Sequence, residues 1–477
     1  MDKTKVHLRT LTFLIVIFWL VMMGLLVKKV YFDSQELSLK TNVQALTYSI
    51  DTTSEEEWMG IYAGKNKIGY SVSTVQKQVD TYVVSERTVM KLMVMGTPQR
   101  IDTSSKSVLD SEFSLKSFIF SLQSGVVRFQ TEAEVFKDEM KLKIDSGGRK
   151  IQRKISLQTP LYHQSSVKFL LQEKGLAVGK KFSIPIFDPS TMSSDTVTIT
   201  IEGKETIDFG NERVLTYFLK ESFKGVLVKA WISDKGKVLK EESPMGMVMV
   251  SETREKALND NWSGYSGIDI ITWTAVPVNK PIERPRFVKY LKVKLNNITL
   301  NDFNLKSHRQ ILKEEVLEIT KEEINPIQFP LLPIEKKGYE RYLESSPFIQ
   351  SNDQLIIEEV NKIVNGEKDT LHVVKAITQW VYETIDKKPT MSIPSALEVL
   401  KTNVGDCNEH TALFTALARA KGIPTRIITG IVFFEKNFFY HTWAEVFLGQ
   451  WISVDPTMNQ FPADATHIGF VEGELDK

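Results

Sequence analysis

Gly405-Asp406-Cys407-Asn408-Glu409-His410, continued by Thr411-Ala412-Leu413-Phe414-Thr415-Ala416-Leu417-Ala418-Arg419-Ala420, decides how the C-terminal part of this chain folds. Asp406 is placed to cap a helix, and Glu409, three residues on, completes a capping box. The run that follows is rich in strong helix formers with apolar residues at helical spacing, and Gly422 and Pro424 supply the stop. Cys407, the sole cysteine of the 477 residues, falls in the first turn. Free N–H groups and the positive end of the helix dipole favour a thiolate there. Two strand-like segments follow. Tyr440-His441-Thr442-Trp443-Ala444-Glu445-Val446-Phe447 carries a histidine, and Trp451-Ile452-Ser453-Val454-Asp455-Pro456-Thr457 runs into an aspartate. In this order Cys407, His441 and Asp455 supply the nucleophile, base and orienting acid that acyl transfer at an amide requires.

The two strands carry a geometric demand. Side chains alternate along a strand, so His441, Trp443 and Glu445 share a face. A two-residue loop at Gly449-Gln450 would set Ala444 opposite Asp455 and leave the acid on the wrong face. A three-residue loop, Leu448-Gly449-Gln450, pairs Phe447 with Trp451 and Trp443 with Asp455, one diagonal step from His441. The odd-length loop, or a bulge, is expected.

Four blocks together, Gly405-Asp406-Cys407, Leu417 to Arg426, His441 to Val446, and Trp451 with Val454 to Thr457, resemble the transglutaminase-like superfamily, whose fold is related to that of papain-like cysteine proteases. The resemblance covers the last domain, residues 346–477. It implies a catalytic triad, with Cys407 as nucleophile, His441 as base and Asp455 orienting the imidazole. It also implies thioester-mediated cleavage or transfer at protein or peptide amide bonds, with no metal or organic cofactor. The family includes transamidases, peptidases, amidases and non-enzymatic members, so the alternative is an anchored binding or scaffold module that retains the fold. A zinc site built from Cys407, His410, His441 and Asp455 is disfavoured because structural zinc sites usually carry more thiolates. The backbone N–H of Cys407 is one candidate oxyanion donor; no second is assigned. Trp443 and Trp451 read as packing, and Glu445 as a salt-bridged or solvated acid.

The expected fold class is α+β: an N-terminal transmembrane helix, an antiparallel β-rich domain, and a C-terminal domain with the cysteine helix on an antiparallel sheet. Leu11 to Val27 is free of charge, with Lys3, Lys5 and Arg9 before it and Lys28 and Lys29 after. Residues 1–32 therefore read as an uncleaved signal anchor, N-terminus cytoplasmic, with the rest of the chain extracytoplasmic; the rival, a cleaved signal peptide, is disfavoured by the length of the apolar run and the lack of a small-x-small cleavage site. A stalk, 33–57, leads to a β-rich domain, 58–254, where segments such as Met140-Lys141-Leu142-Lys143-Ile144 alternate apolar and polar residues. A curved sheet or a sandwich is expected there, interrupted by one helix near Ser165–Glu173, with His163 as an ordinary core or surface histidine. This domain carries no catalytic constellation and is a candidate for binding an unknown partner. Residues 255–345 connect it to the last domain, and the charged run Gln310–Glu323 reads as a solvated face. In the last domain, Asp353 and Asp369 cap two further helices, the second with a core stripe of Leu371, Val374, Ile377, Trp380 and Val381. A formal net charge of +1 gives no footprint for nucleic acid, and one cysteine permits no internal disulfide.

Overall fold

Alternation along single strands sets the first half of the fold. Met140, Leu142 and Ile144 are buried, while Lys141 and Lys143 between them face solvent. The structure, a computed structural model, describes residues 55–473 except 95, 126, 147–148, 225, 245, 260–268, 297–302, 304, 325–328, 335–336 and 389–394. The chain divides into Met1–Thr52 and Thr53–Lys477. The expected signal anchor and most of the stalk lie outside the described residues. Among the described residues no helix is long and apolar enough to cross a membrane.

Between Glu55 and Glu252 the described residues form one sheet of fourteen antiparallel strands. Eight run in order through hairpins, from Glu55–Ala63 to Arg149–Ser156. The chain then crosses to the far edge and returns through six more, from Lys181–Asp188 to Met247–Glu252. The last strand pairs with the first, Trp58 opposite Glu252. That seam hydrogen-bonds the two runs into a single continuous sheet. The crossing segment contains the helix Val167–Lys174, which lays Val167, Leu170 and Leu171 against Ile184, Ile199, Ile201 and Leu219. His163 is 4% exposed and caps the turn before this helix, its Nδ1 accepting the N–H of Ser165. Burial pushes its imidazole down to about 4, so it is a neutral core histidine.

The charged run 310–323 departs from the expected solvated face. Gln310–Lys313 and Val316–Thr320 form a hairpin, whose second strand also pairs with Tyr290–Lys294. Its outer residues are solvated, as in the Lys313–Glu318 pair, but Leu317 and Ile319 are fully buried. The Glu322 side chain, 7% exposed, turns inward and accepts from the Ser453 N–H and hydroxyl, each at 2.9 Å. The buried Arg309 guanidinium, 3.7 Å away, supplies the compensating charge.

In the last domain Asp353 and Asp369 cap the helices Gln354–Val364 and Thr370–Thr384 as expected, each carboxylate accepting first-turn N–H groups. Leu371, Val374, Ile377 and Val381 are buried, and Trp380 packs at the core margin. A short helix, Ala396–Thr402, leads to the cysteine helix Cys407–Ala420. That helix is buried almost all round because helices flank one side and a five-stranded sheet the other. Its inner residues share one core with the long sheet, and the Phe129 and Phe348 rings lie 6.4 Å apart.

Glu322 offers a test of this packing. Burial works against its charge, but Arg309 and the His308 hydrogen bond outweigh it and hold the carboxyl down to about 2 from an ordinary 4.5. A depressed folded value contributes stability above the unfolded value, and that stability is lost as pH falls from 4.5 towards 2. The shift corresponds to roughly 3 kcal/mol. Glu322→Gln is expected to lower the free energy of urea unfolding at neutral pH by about that amount, with the gap to the wild type narrowing at about pH 3.

Candidate active site

The cysteine helix starts as its sequence requires. The Asp406 carboxylate accepts the Asn408 N–H at 3.0 Å, and Glu409 Oε2 accepts the Asp406 N–H at 2.9 Å, closing the capping box. Position 405 has to be glycine, because a Cβ there would stand 2.2 Å from the Cβ of Glu409. Cys407 is the first helical residue, half-buried, and its sulfur takes the backbone N–H of Thr442. The other side of that strand residue is held too. The Thr411 hydroxyl donates to the Thr442 carbonyl at 3.0 Å. The residue next to His441 is thus pinned to the helix that carries the thiol.

The loop Leu448-Gly449-Gln450 has the odd length expected. Phe447 pairs with Trp451 and Ala444 with Val454, a register that continues to Trp443 opposite Asp455. His441 Nε2 lies 2.8 Å from Asp455 Oδ2, with His441 4% exposed and Asp455 fully buried. Asp455 Oδ1 accepts the N–H groups of Thr457 and Met458 at 2.8 and 3.0 Å. Burial works against the Asp455 charge, but the His441 and His467 rings outweigh it and hold the carboxyl well below the usual range. A carboxylate can only accept, so His441 Nε2 carries a proton and Nδ1 is the nitrogen turned away from Asp455. Among the hydrogen bonds of the described residues, none joins Cys407 to His441. Such bonds commonly tighten only when substrate is bound.

One expectation about the thiol is corrected. Cys407 does occupy the first turn, but burial pushes its thiol well above the ordinary range. The nearby Asp406 charge adds to this, the Thr442 N–H opposes it, and Glu409 and Asp455 push upward again. Loss of solvation and carboxylate charge thus work against the thiolate that the helix start favours.

The neighbours sort into packing and pocket. Trp443 is 1% exposed, stacks on His441 with ring centres 6.2 Å apart and meets His467 edge-on at 5.2 Å. Trp451 packs with Tyr342 and Phe447. Glu445 is salt-bridged to Arg426 at 2.6 Å. His410 is buried and turns Nδ1 to the Asp406 carbonyl of its own helix, which takes that nitrogen out of any shared ligand set. His441, Asp455 and His467 bring donor atoms together, but both ring nitrogens sit 2.8 and 2.9 Å from one oxygen. Ligands around tetrahedral zinc would stand about 3.3 Å apart, so this is hydrogen-bond geometry. A cleft of about 250 Å³ is lined by Asn408, next to Cys407 in the chain, by Tyr440 and Thr442 on either side of His441, and by Ala412, Thr429 and Val471; Cys407 and His441 do not themselves line it.

The sequence reading passed over His467. It lies outside the four blocks, and nothing in Asp464-Ala465-Thr466-His467 marks it as chemical. It reaches Asp455 only because the chain doubles back through the Asp455–Gln460 bridge before entering the strand Ile468–Glu472.

Residues 358–456, which include Cys407, His441 and Asp455, match the family model of the transglutaminase-like superfamily. The chain carries a transglutaminase-like domain. An uncharacterized protein of Haemophilus influenzae is 31% identical over 97 residues, 19% of this chain and 26% of that protein. The match thus spans about a quarter of that relative. Two solved structures are also similar. A candidate cysteine protease from Cytophaga hutchinsonii is 22% identical, covers 34% of this chain and 56% of its own, and has a TM-score of 0.26. A β-barrel-like protein from Brucella abortus, from a family of unknown function, is 11% identical, covers 42% and 94%, and has a TM-score of 0.32.

With one cysteine in the chain, iodoacetamide alkylation reports on Cys407 of the transglutaminase-like domain alone. Its midpoint is expected above the free-thiol value of about 8.5. Asp406→Asn keeps a capping side chain but removes a charge, and is expected to bring the midpoint down by about one pH unit. A wild-type midpoint below about 7 would show a preformed thiolate instead.

Proposed function

We propose that the transglutaminase-like domain is a cysteine-nucleophile enzyme of acyl transfer, acting on protein or peptide amides by hydrolysis or transamidation. The observation that carries this reading is the buried His441–Asp455 pair, held beside the helix turn that presents the chain's only thiol. In the proposed reaction an amide carbonyl is brought to the Cys407 sulfur at the start of its helix. His441 Nδ1 takes the thiol proton as the Cys407 sulfur bonds to the carbonyl carbon. His441 then delivers that proton to the leaving nitrogen as the C–N bond breaks, which leaves a thioester. Water releases an acid from the thioester, or an amine releases a new amide. Asp455 keeps the imidazole in the Nε2–H form throughout. No step in this scheme calls for a metal or cofactor.

Leu11 to Val27 anchors the enzyme as a single-pass protein with its N-terminus in the cytoplasm and its domains outside, and the β-rich domain is available for a partner. The upward push on the resting thiol favours one competing reading, a binding module that keeps the fold without turnover. Cys407→Ser separates the two. Incubation with denatured protein and a fluorescent primary amine is expected to give peptide release or amine incorporation in the wild type. Cys407→Ser should lose this activity, and His441→Ala should lose about 10²-fold or more. Biological function that persists unchanged in Cys407→Ser would select the binding module.

A further inference from the structure

We propose that His467 is a positioning residue, a buried imidazolium that neutralises Asp455 and thereby sets how tightly His441 holds a proton; this rests on the Cys407–His441–Asp455 reading above. His467 lies beyond the residues matched by the family model, 358–456, so the assignment comes from the geometry alone. His467 is fully buried. Its Nε2 stands 2.9 Å from Asp455 Oδ2, the same oxygen that accepts from His441. With two rings on Oδ2 and two backbone N–H groups on Oδ1, the Asp455 carboxylate meets four donors and has no place for a proton. On the other side, His467 Nδ1 lies 3.1 Å from the Asp464 carbonyl oxygen and 3.5 Å from Asp464 Oδ1, both acceptors. A neutral imidazole would aim a lone pair at one of these groups. Only the doubly protonated ring satisfies both.

The surrounding charges agree. Asp455 and Asp464 flank the ring, and Arg286, 2.9 Å from Asp464 Oδ2, and Arg309, on the Asp464 carbonyl, balance the outer aspartate. Lys321 acts on Asp464 and Lys387 on Asp455, while His441 and the uncharged Trp443 pack against the ring. Burial alone would push the His467 imidazole down, but its bonds to Asp455 and Asp464 outweigh that and raise it. The consequence falls on His441. A lone aspartate beside an imidazole favours the imidazolium and hence a preformed thiolate. Here a positive ring on the same oxygen cancels that pull, so His441 rests as a neutral base and the proton stays on Cys407. A purely structural His467 would fill the same space without a charge.

The test uses the full chain labelled with ¹⁵N-histidine, with ring nitrogens followed against pH. In the wild type one ring is expected to stay doubly protonated above the pH at which an ordinary histidine loses its proton, a signal that His467→Gln removes. In His467→Gln the midpoint of His441, assigned by its loss in His441→Ala, is expected to rise by about 1–3 units. Alkylation of Cys407 at neutral pH should then quicken by about tenfold. A neutral His467 in the wild type at pH 7 would overturn the proposal, and needs no variant to fold. An unmoved His441 midpoint in folded His467→Gln would overturn it as well. If the titrations behave as expected while no amide is turned over, the functional reading fails and this one stands.

Discussion

A fully buried carboxylate is the group on which the C-terminal end of this protein depends. Removing a charge from water is costly, and Asp455 is tolerated only because several stretches of chain converge on it with donors. The strand Asn437–Phe447 brings His441, the turn after Pro456 brings two backbone N–H groups, and the approach to the last strand brings His467. These stretches lie within fourteen residues of Asp455 on either side, and the carboxylate is the group all of them meet. Satisfying one oxygen pair fixes the turn, the final strand and the imidazole ring together.

What was legible in the sequence was local. The capping box at Asp406 and Glu409, the caps at Asp353 and Asp369, and the odd loop after Phe447 each depend on spacings of a few residues, and each is where its residues put it. Period two likewise exposed the strands of the first half. The rest depended on partners that a linear reading cannot place. Glu322 sits in a charged run yet is buried, because Arg309 and Ser453 meet it only in the fold. The thiol at a helix start invites a local argument about the dipole, but burial and three carboxylates push the other way. His467 carried no pattern, and the strand order that joins first to last could not be seen from alternation.

The two large parts of the described chain are not beads on a string. Phe129 and Leu142 of the long sheet and Phe348, Ile356 and Phe414 of the C-terminal region belong to one apolar core. The region between them contributes strands and charges that pack on the C-terminal sheet, with Arg286 and Arg309 both reaching Asp464. The geometry around the thiol is therefore braced from the β-rich side as well as from its own helices.

The seam of the fourteen-stranded sheet has a kinetic consequence. Nearly every other strand pair in it is a hairpin between sequence neighbours, so most of the sheet zips through short loops. Trp58 and Glu252 come together only by closing the whole intervening chain. The entropy of that closure is offset only when both flanking meanders already exist to receive the contact. Joining the first strand to the last is thus the late, slow event of folding, and until it happens two long strand edges stand open to the wrong partner.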